Sequence, residues 1–365
     1  MNEMLNHAAP IDMPGAARGE LGGLAVIGLG YWGPNWVRNL AQAHPKKRVV
    51  ACDLDPRRRE HIARTFPGVE TCDSLDRILD DRKIDGVVVA TPVSSHFRIA
   101  RTAIVAGKST LVEKPLAMSV RQADELRRLA ADRGVVLMVG HTFEYSAPVQ
   151  KIAEIISAGE LGEVLYISST RANLGLFQRD VNVVWDLATH DISIILMLTG
   201  AIPDAVSCQA SSHYREGIED VALLTLHFGK MLAFVHVSWL DPNKIRRTTV
   251  VGSRKMLVYD DMAVQEKIRI YDKGVTVQRY YDSYDEFQFA YRYGDIRIPR
   301  IEETEPLKLE CQHFVDCIAR QTAPRTDASS GIRVVSVLEA ADRSIRGGGR
   351  PVSLRSAEDQ NNAAA

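Results

Sequence analysis

Short apolar blocks alternate with helical stretches along the front of the chain. Leu24-Ala25-Val26-Ile27 is apolar without a break and stops at a glycine, the pattern of a parallel strand buried on both faces. A helical pattern covers residues 34–43, and a second apolar block, Val49-Val50-Ala51-Cys52, ends at Asp53. Asp55-Pro56 opens another helix, with proline at a first-turn position where its missing N–H costs nothing. Further strands are predicted at 86–90, 110–112 and 135–139. A helix over 119–133 separates the last two, with Ser119 to cap it and Gly134 to end it. Strand and helix alternating over about 120 residues specify a doubly wound parallel sheet, an α/β domain.

The rhythm changes near residue 145. A helix is expected at 149–157, a strand at 164–173 and a long apolar helix at 184–198. Tight reversals follow, at Gly229-Lys230 between apolar runs 221–228 and 231–239, and at Gly252-Ser253 between 248–251 and 256–259. These hairpins predict an α+β second domain built on a mostly antiparallel open sheet. Its strand 231–239 is apolar on both sides: Val235, Val237 and Trp239 on one, Leu232 and Phe234 on the other. A sheet with one wet face alternates more cleanly, so the second face is expected to be covered, by a partner subunit or by the segment 275–300. The organisation expected is a tail at 1–20, a first domain at 21–145, a second at 146–352 and a tail at 353–365.

Composition narrows the function classes. A chain of 365 residues exceeds the usual single core, which agrees with two domains. A net charge of -1 argues against a dedicated nucleic-acid binder. No run approaches the roughly 20 uncharged residues that span a bilayer. Residues 1–20 carry Glu3, Asp12 and Glu20 and no apolar centre, so no secretory signal is expected. Cys52, Cys72, Cys208, Cys311 and Cys317 form no Cys-x-x-Cys pair and no zinc-type cluster, pointing to reduced thiols, no metal and a cytoplasmic location.

The candidate chemistry begins at Gly28-Leu29-Gly30-Tyr31-Trp32-Gly33. This Gly-x-Gly-x-x-Gly run directly follows a predicted strand and opens a predicted helix, the context that gives it meaning. Gly28 permits the tight turn, Gly30 lets backbone approach a pyrophosphate, and Gly33 allows close helix–strand packing. Phosphates would rest on the helix N-terminus. Asp53 closes the second strand at the place of a ribose-binding acid. A carboxylate there disfavours a 2′-phosphate, so NAD is expected; Arg57 and Arg58 leave NADP as the alternative. Glu113-Lys114-Pro115 follows a strand at the carboxyl edge of the sheet, where open α/β folds bind ligands. Asp186 and His190 stand four apart in a predicted helix, on one face, and a carboxylate beside an imidazole suits a general base.

In order and spacing, Gly28 to Gly33, Asp53, Ala90-Thr91-Pro92, Glu113-Lys114-Pro115 and Asp186-x-x-x-His190 resemble the glucose–fructose oxidoreductase / inositol dehydrogenase / rhizopine-catabolism (Gfo/Idh/MocA) family, over about residues 22–352. The resemblance implies hydride transfer between the nicotinamide and a secondary hydroxyl or ketone of a sugar, a cyclitol or a nucleotide-linked sugar. His190 would take the hydroxyl proton, Lys114 would polarise the same oxygen, and Asp186 would orient His190 or bind a neighbouring hydroxyl. Tyr31, Trp32, Thr91, Pro92, His96 and Glu113 would line the cofactor. His141, Tyr145, Arg171, Asn173 and, more weakly, Gln178 would face substrate. A homodimer or homotetramer through the second sheet is expected. The chain departs from many relatives at Ala188, Ser193 and the segment 140–145, which puts the substrate in question and leaves the reaction class alone. Two rivals stand beside this reading: an enzyme that retains NAD and cleaves a glycosidic bond through transient oxidation, and a non-catalytic dinucleotide sensor.

Overall fold

The computed structural model describes residues 21–43, 47–178, 180–279, 287–302 and 304–354. The expected tail at 1–20 lies outside them, and so does the expected tail at 353–365 apart from its first two residues, of which Ser353 pairs with Ala205 as the end of a short strand. Two compact units are present, one of residues 1–146 and 304–339, the other of 147–303 and 340–365.

In the first unit β1 (Gly23–Ile27), β2 (Arg48–Cys52), β3 (Glu70–Cys72), β4 (Gly86–Val89), β5 (Ser109–Glu113) and β6 (Leu137–Gly140) form a sheet in the order β3-β2-β1-β4-β5-β6. All its pairings are parallel. Helices α1 (Gly33–Ala43), α2 (Pro56–Thr65), α3 (Leu75–Asp80), α4 (Val93–Val105) and α5 (Val120–Arg133) return the chain between strands. The predicted local signals are all used. Asp55 caps α2 by accepting from the Arg57 amide, and Ser119 caps α5 by accepting from the Gln122 amide. Gly134 ends α5 in the left-handed region at φ 60°. The order of the sheet reverses between β1 and β4, and the carboxyl ends flanking that point are where such folds bind ligands.

Sequence reading gave 146–352 to the second domain, but residues 304–339 fold back with the first unit. There α8 (Pro306–Arg320) buries Leu307, Cys311, Phe314 and Ile318 in one cluster with Leu24, Trp36 and Leu40. Amphipathic periodicity marks a helix; it does not mark which sheet the helix will cover.

The second unit contains α6 (Ala147–Ser157), β7 (Val164–Ala172), α7 (Thr189–Thr199), β8 (Ala205–Ser211), β9 (Val221–Phe228), β10 (Met231–Ser238), β11 (Ile245–Gly252), β12 (Met256–Asp260), β13 (Ile268–Arg279), β14 (Phe287–Arg297) and β15 (Val352–Ser353). The helix α9 (Ala328–Arg346) begins in the first unit, and its residues from Ala340 belong to the second. The strands form one sheet in the order β14-β13-β12-β11-β7-β10-β9-β8-β15. Both predicted hairpins are present, and one pairing, β7 with β10, is parallel, making the sheet mixed. One face is covered by helix: Val235, Val237 and Trp239 are buried there. On the other face Leu223 is 57% and Phe234 is 40% exposed. The segment 275–300, one of the two expected covers for that face, instead supplies much of β13 and β14, which lengthen the sheet at its edge.

Candidate active site

The glycine-rich turn between β1 and α1 is fixed by sterics. Gly28 has φ 93°, and a Cβ on it would stand 2.7 Å from the Ala90 carbonyl oxygen and 2.7 Å from Thr91 Cγ2. A Cβ on Gly33 would stand 2.1 Å from the Gly28 carbonyl oxygen. Gly30 is different: a Cβ there would meet nothing nearer than Arg58 Nη1, at 3.9 Å. Two glycines are thus required by the fold itself, while the third leaves open space over the turn that a pyrophosphate fits, against the N-terminus of α1. The Asp53 carboxylate accepts from the Leu29 amide (2.7 Å) and the Asp55 amide (2.8 Å), holding this turn, and from Arg58 Nη1 at 3.3 Å. Tyr31 and Trp32 are exposed and meet edge-on, their centroids 5.5 Å apart.

Behind the turn lies a buried polar group. The Glu113 carboxylate, at the end of β5, accepts from the indole N–H of Trp36 at 2.7 Å and from the Lys114 amide at 3.2 Å. Burial raises its pKa, while those two donors and the Lys114 ammonium act against the rise. The Lys114–Pro115 peptide is cis, and Lys114 is partly buried. His96, on α4, is buried and lies 2.9 Å from the carbonyl oxygens of both Thr91 and Pro115. It ties the loop after β4 to the loop after β5. Pro92 precedes α4 as its capping residue.

His141 follows β6, beside Lys114 in strand register, since Glu113 pairs with Gly140. It is 1% exposed, and neither ring nitrogen has a hydrogen-bond partner among the described residues. Burial first, and then the Lys114 charge, push its imidazole down to about 3, so it is neutral near pH 7. The next residue, Thr142, donates to Glu310 Oε2 of α8 at 2.7 Å. Glu310 is fully buried, and desolvation lifts its carboxyl well above the usual range. Desolvation likewise lifts the Glu144 carboxyl to about 8, against the pull of Arg333 and Arg325. Tyr145 is buried: its hydroxyl is 3.3 Å from Thr326 Oγ1 and Arg325 lies over its ring.

In the second unit the chain enters α7 through a widened, π-helical turn, Val184–Ala188. The Asn182 side chain caps it, accepting from the amides of Val184 and Trp185 at 3.1 Å each. Asp186 lies in this turn and His190 in the first turn of α7, so the helix predicted over 184–198 is present and continuous, but its winding changes between the two residues. The equal-face argument from 3.6 residues per turn therefore does not carry across. The Asp186 Oδ2 atom accepts from the indole N–H of Trp239 at 3.1 Å. Arg171 is buried and its guanidinium donates to Asp191 at 2.7 Å, with Ser169 also donating to Asp191 at 2.6 Å. Asn173 is half-buried and its amide donates to the Ser238 carbonyl, continuing the β7–β10 pairing. Gln178 is half-buried in the loop beyond.

Within the first unit the structure therefore gathers the glycine turn, Asp53, Thr91, His96, Glu113, Lys114 and His141 at the carboxyl ends of its strands. Within the second it sets Asp186 against Trp239, with His190 four positions further on in the first turn of α7. Sequence reading missed Trp36, Thr142, Glu310 and Trp239 as supports. Trp36 and Trp239 sat in apolar periodicity and read as plain core, and a carboxylate at Glu310 in a helix pattern reads as solvated. The five cysteines are free and buried. Among the described residues no helix is long and apolar enough to cross a membrane, and no group of three His, Cys, Asp or Glu side chains is placed to hold a metal.

Comparison with known proteins agrees with this fold. Residues 23–141 match the oxidoreductase family with an NAD-binding Rossmann fold, and residues 149–258 match the GFO/IDH/MocA C-terminal domain. The chain is 27% identical over 345 residues to the scyllo-inositol 2-dehydrogenase (NAD(+)) of Bacillus subtilis, covering 90% of this chain and 95% of that protein. It is 26% identical over 311 residues to the scyllo-inositol 2-dehydrogenase (NADP(+)) of the same organism, covering 79% of this chain and 84% of that one. Among solved structures, GenD2 from gentamicin A biosynthesis in complex with NAD superposes with a TM-score of 0.76 at 25% identity, covering 94% of this chain and 99% of that one.

Proposed function

The chain belongs to the Gfo/Idh/MocA oxidoreductase family, with an NAD-binding Rossmann unit, and from that premise we propose that it oxidises or reduces a secondary alcohol of a sugar, a cyclitol or a nucleotide-linked sugar. The observation that carries the reading is the held turn after β5. Glu113 is locked by Trp36 and by the amide of Lys114 itself, so the lysine leads off the sheet edge from a fixed base. Bound NAD supplies a hydride acceptor. Gly28, Gly30, Gly33 and Asp53 hold it, with Tyr31, Trp32, Thr91, Pro92 and the loops tied by His96 as its walls. His190 accepts the proton of the reacting hydroxyl, and Lys114 stabilises the negative charge that grows on that oxygen. Asp186, fixed by Trp239, orients the imidazole or a neighbouring hydroxyl. His141, neutral and with unused ring nitrogens, offers a donor and an acceptor to a substrate hydroxyl. Tyr145 of the first unit and Arg171 and Asn173 of the second, buried or half-buried with partners of their own, are further candidates to face substrate. Asp53 favours NAD, while Arg58 on its carboxylate gives NADP a partner for a 2′-phosphate.

The test is to mix the purified protein with NAD and a panel of hexoses, inositols and UDP-sugars and to follow NADH. Steady NADH formation with one class supports the proposal. Release of an aglycone without net NADH favours the NAD-retaining glycosidase, and cofactor binding with no turnover of any class favours the sensor. The exposed sheet face around Leu223 and Phe234 supports a second proposal, assembly as a homodimer or homotetramer through that sheet. A mass of one chain on dilution in light scattering overturns it.

A further inference from the structure

We propose that the loop after β7, together with Tyr214, is a platform for a second ring carried by the substrate, so that the enzyme selects glycosides or other ring-linked sugars over free single-ring ones. The inference rests on the assignment of Asp186 and His190 to the reacting end of the substrate.

The observations lie in one unit. Trp239 is 1% exposed, and its indole N–H is spent on Asp186. The loop wraps this ring: the Gly175 amide donates to the Trp239 carbonyl at 3.0 Å, and a Cβ on Gly175 would stand 3.0 Å from Trp239 Cδ1. A side chain there would press on the indole and push the loop off it by a few tenths of an ångström. The residues flanking this anchor are apolar and turned to solvent, Leu174 and Leu176 each 77% exposed. Phe177 continues the aromatic run. Its centroid is 5.3 Å from Trp239 and 5.6 Å from Tyr214, which is itself 76% exposed. Asp220 fixes the turn that carries Tyr214, accepting from the amides of His213 and Tyr214 and lying 2.7 Å from His213 Nδ1.

An apolar strip thus runs by direct contacts from the hydrogen-bond partner of Asp186 to open solvent. The fold does not need it: Gly175, Asn173 and Asp220 already secure both loops by backbone bonds, and Leu174, Leu176 and Tyr214 bury little of their surface. A patch of this kind, built on held backbone beside polar catalytic groups, marks a ligand site. The edge-to-face meeting of Phe177 and Tyr214, at 69°, leaves ring surface on Tyr214 uncovered. The C–H face of a second sugar, or the flat face of an aryl or base group, packs on such surface and removes apolar area from water.

The experiment measures binding to the NAD-loaded protein by calorimetry. The probes are paired: methyl against p-nitrophenyl glycosides of glucose, galactose and N-acetylglucosamine, with the matching disaccharides and UDP-sugars as further arms. The second ring is expected to tighten binding about tenfold in the parent protein, and the gain to fall to about threefold or less in Phe177→Ala and Tyr214→Ala. The arm with the largest gain says whether the ring is aryl, sugar or nucleoside. Equal gains in parent and variants, or binding of no two-ring probe, overturn the platform. A change of mass in light scattering for the variants also overturns it, because the strip then meets a second copy of the chain. Circular dichroism and melting of both variants exclude misfolding as the cause. Turnover is scored apart: ring-dependent binding without NADH from any probe sinks the redox reading and leaves the platform standing.

Discussion

The two sheets of this protein are covered in different ways, and the difference separates what the fold demands from what function adds. In the parallel sheet β1, β4, β5 and β6 are buried at every position, between helices packed on both faces. Its working groups lie at strand ends and are held by short bonds: Asp53 to two backbone amides, Glu113 to Trp36. The mixed sheet is buried on one face only, and Leu223 and Phe234 remain open on the other. Its working groups hang on Trp239 and on loops that expose leucine and tyrosine. One sheet is complete within the chain. The other leaves apolar surface open, on one face and on the loops beside it.

Four measurements break or sharpen that comparison, taken from the largest effect. Lys114→Ala and His190→Ala, one from each unit, should each lower turnover by about 10²- to 10⁴-fold, while NAD affinity stays within a few-fold. Near-normal turnover in either would move the chemistry elsewhere. Asp53→Ala should weaken NAD by about 1.5–3 kcal/mol and narrow or invert the NAD/NADP preference, read from paired titrations. An unchanged ratio would mean that Arg58 already decides the choice. Because Asp53 also holds the Leu29 amide at 2.7 Å, a parallel loss of melting temperature is expected.

The third measurement is the pH dependence of stability in the buried unit. Glu144 is raised to about 8 in the folded protein, so its contribution to stability is complete below the ordinary carboxyl value and is lost as pH rises through 8. His141 is depressed to about 3, and its contribution is complete above the ordinary imidazole value and falls as pH drops toward 3. Between about pH 6.5 and 8 only the Glu144 effect operates of the two, with a slope of about 1.4 kcal/mol per pH unit. Urea unfolding across that window should show the slope in the parent and a flatter line in Glu144→Gln. The same slope in both proteins would mean that Glu144 is already ionised. The smallest expected change in fold stability comes from the open sheet face: Phe234→Arg should leave melting nearly unchanged and shift assembly toward single chains. An unchanged mass would mean that the face is not an interface.

The sequence by itself determined the elements and the cofactor turn, because their causes are local. A buried parallel strand needs an unbroken apolar block, Ser119 and Gly134 cap the helix between them, and Gly33 occupies a position where any side chain would strike the Gly28 carbonyl of the same turn. Asp53 was legible for the same reason, as a fixed distance along one βαβ unit. Tertiary structure decided the rest. It sent residues 304–339 back to the first unit, because α8 carries an apolar face that no periodicity assigns to one sheet over another. It widened the turn that holds Asp186 and gave that carboxylate to Trp239, 53 positions along the chain. It placed Thr142 against Glu310 across 168 positions, in a site dry enough to lift a carboxyl pKa. Burial and long-range polar partners are properties of packed surfaces, and a linear pattern records which residues can supply them without recording which ones meet.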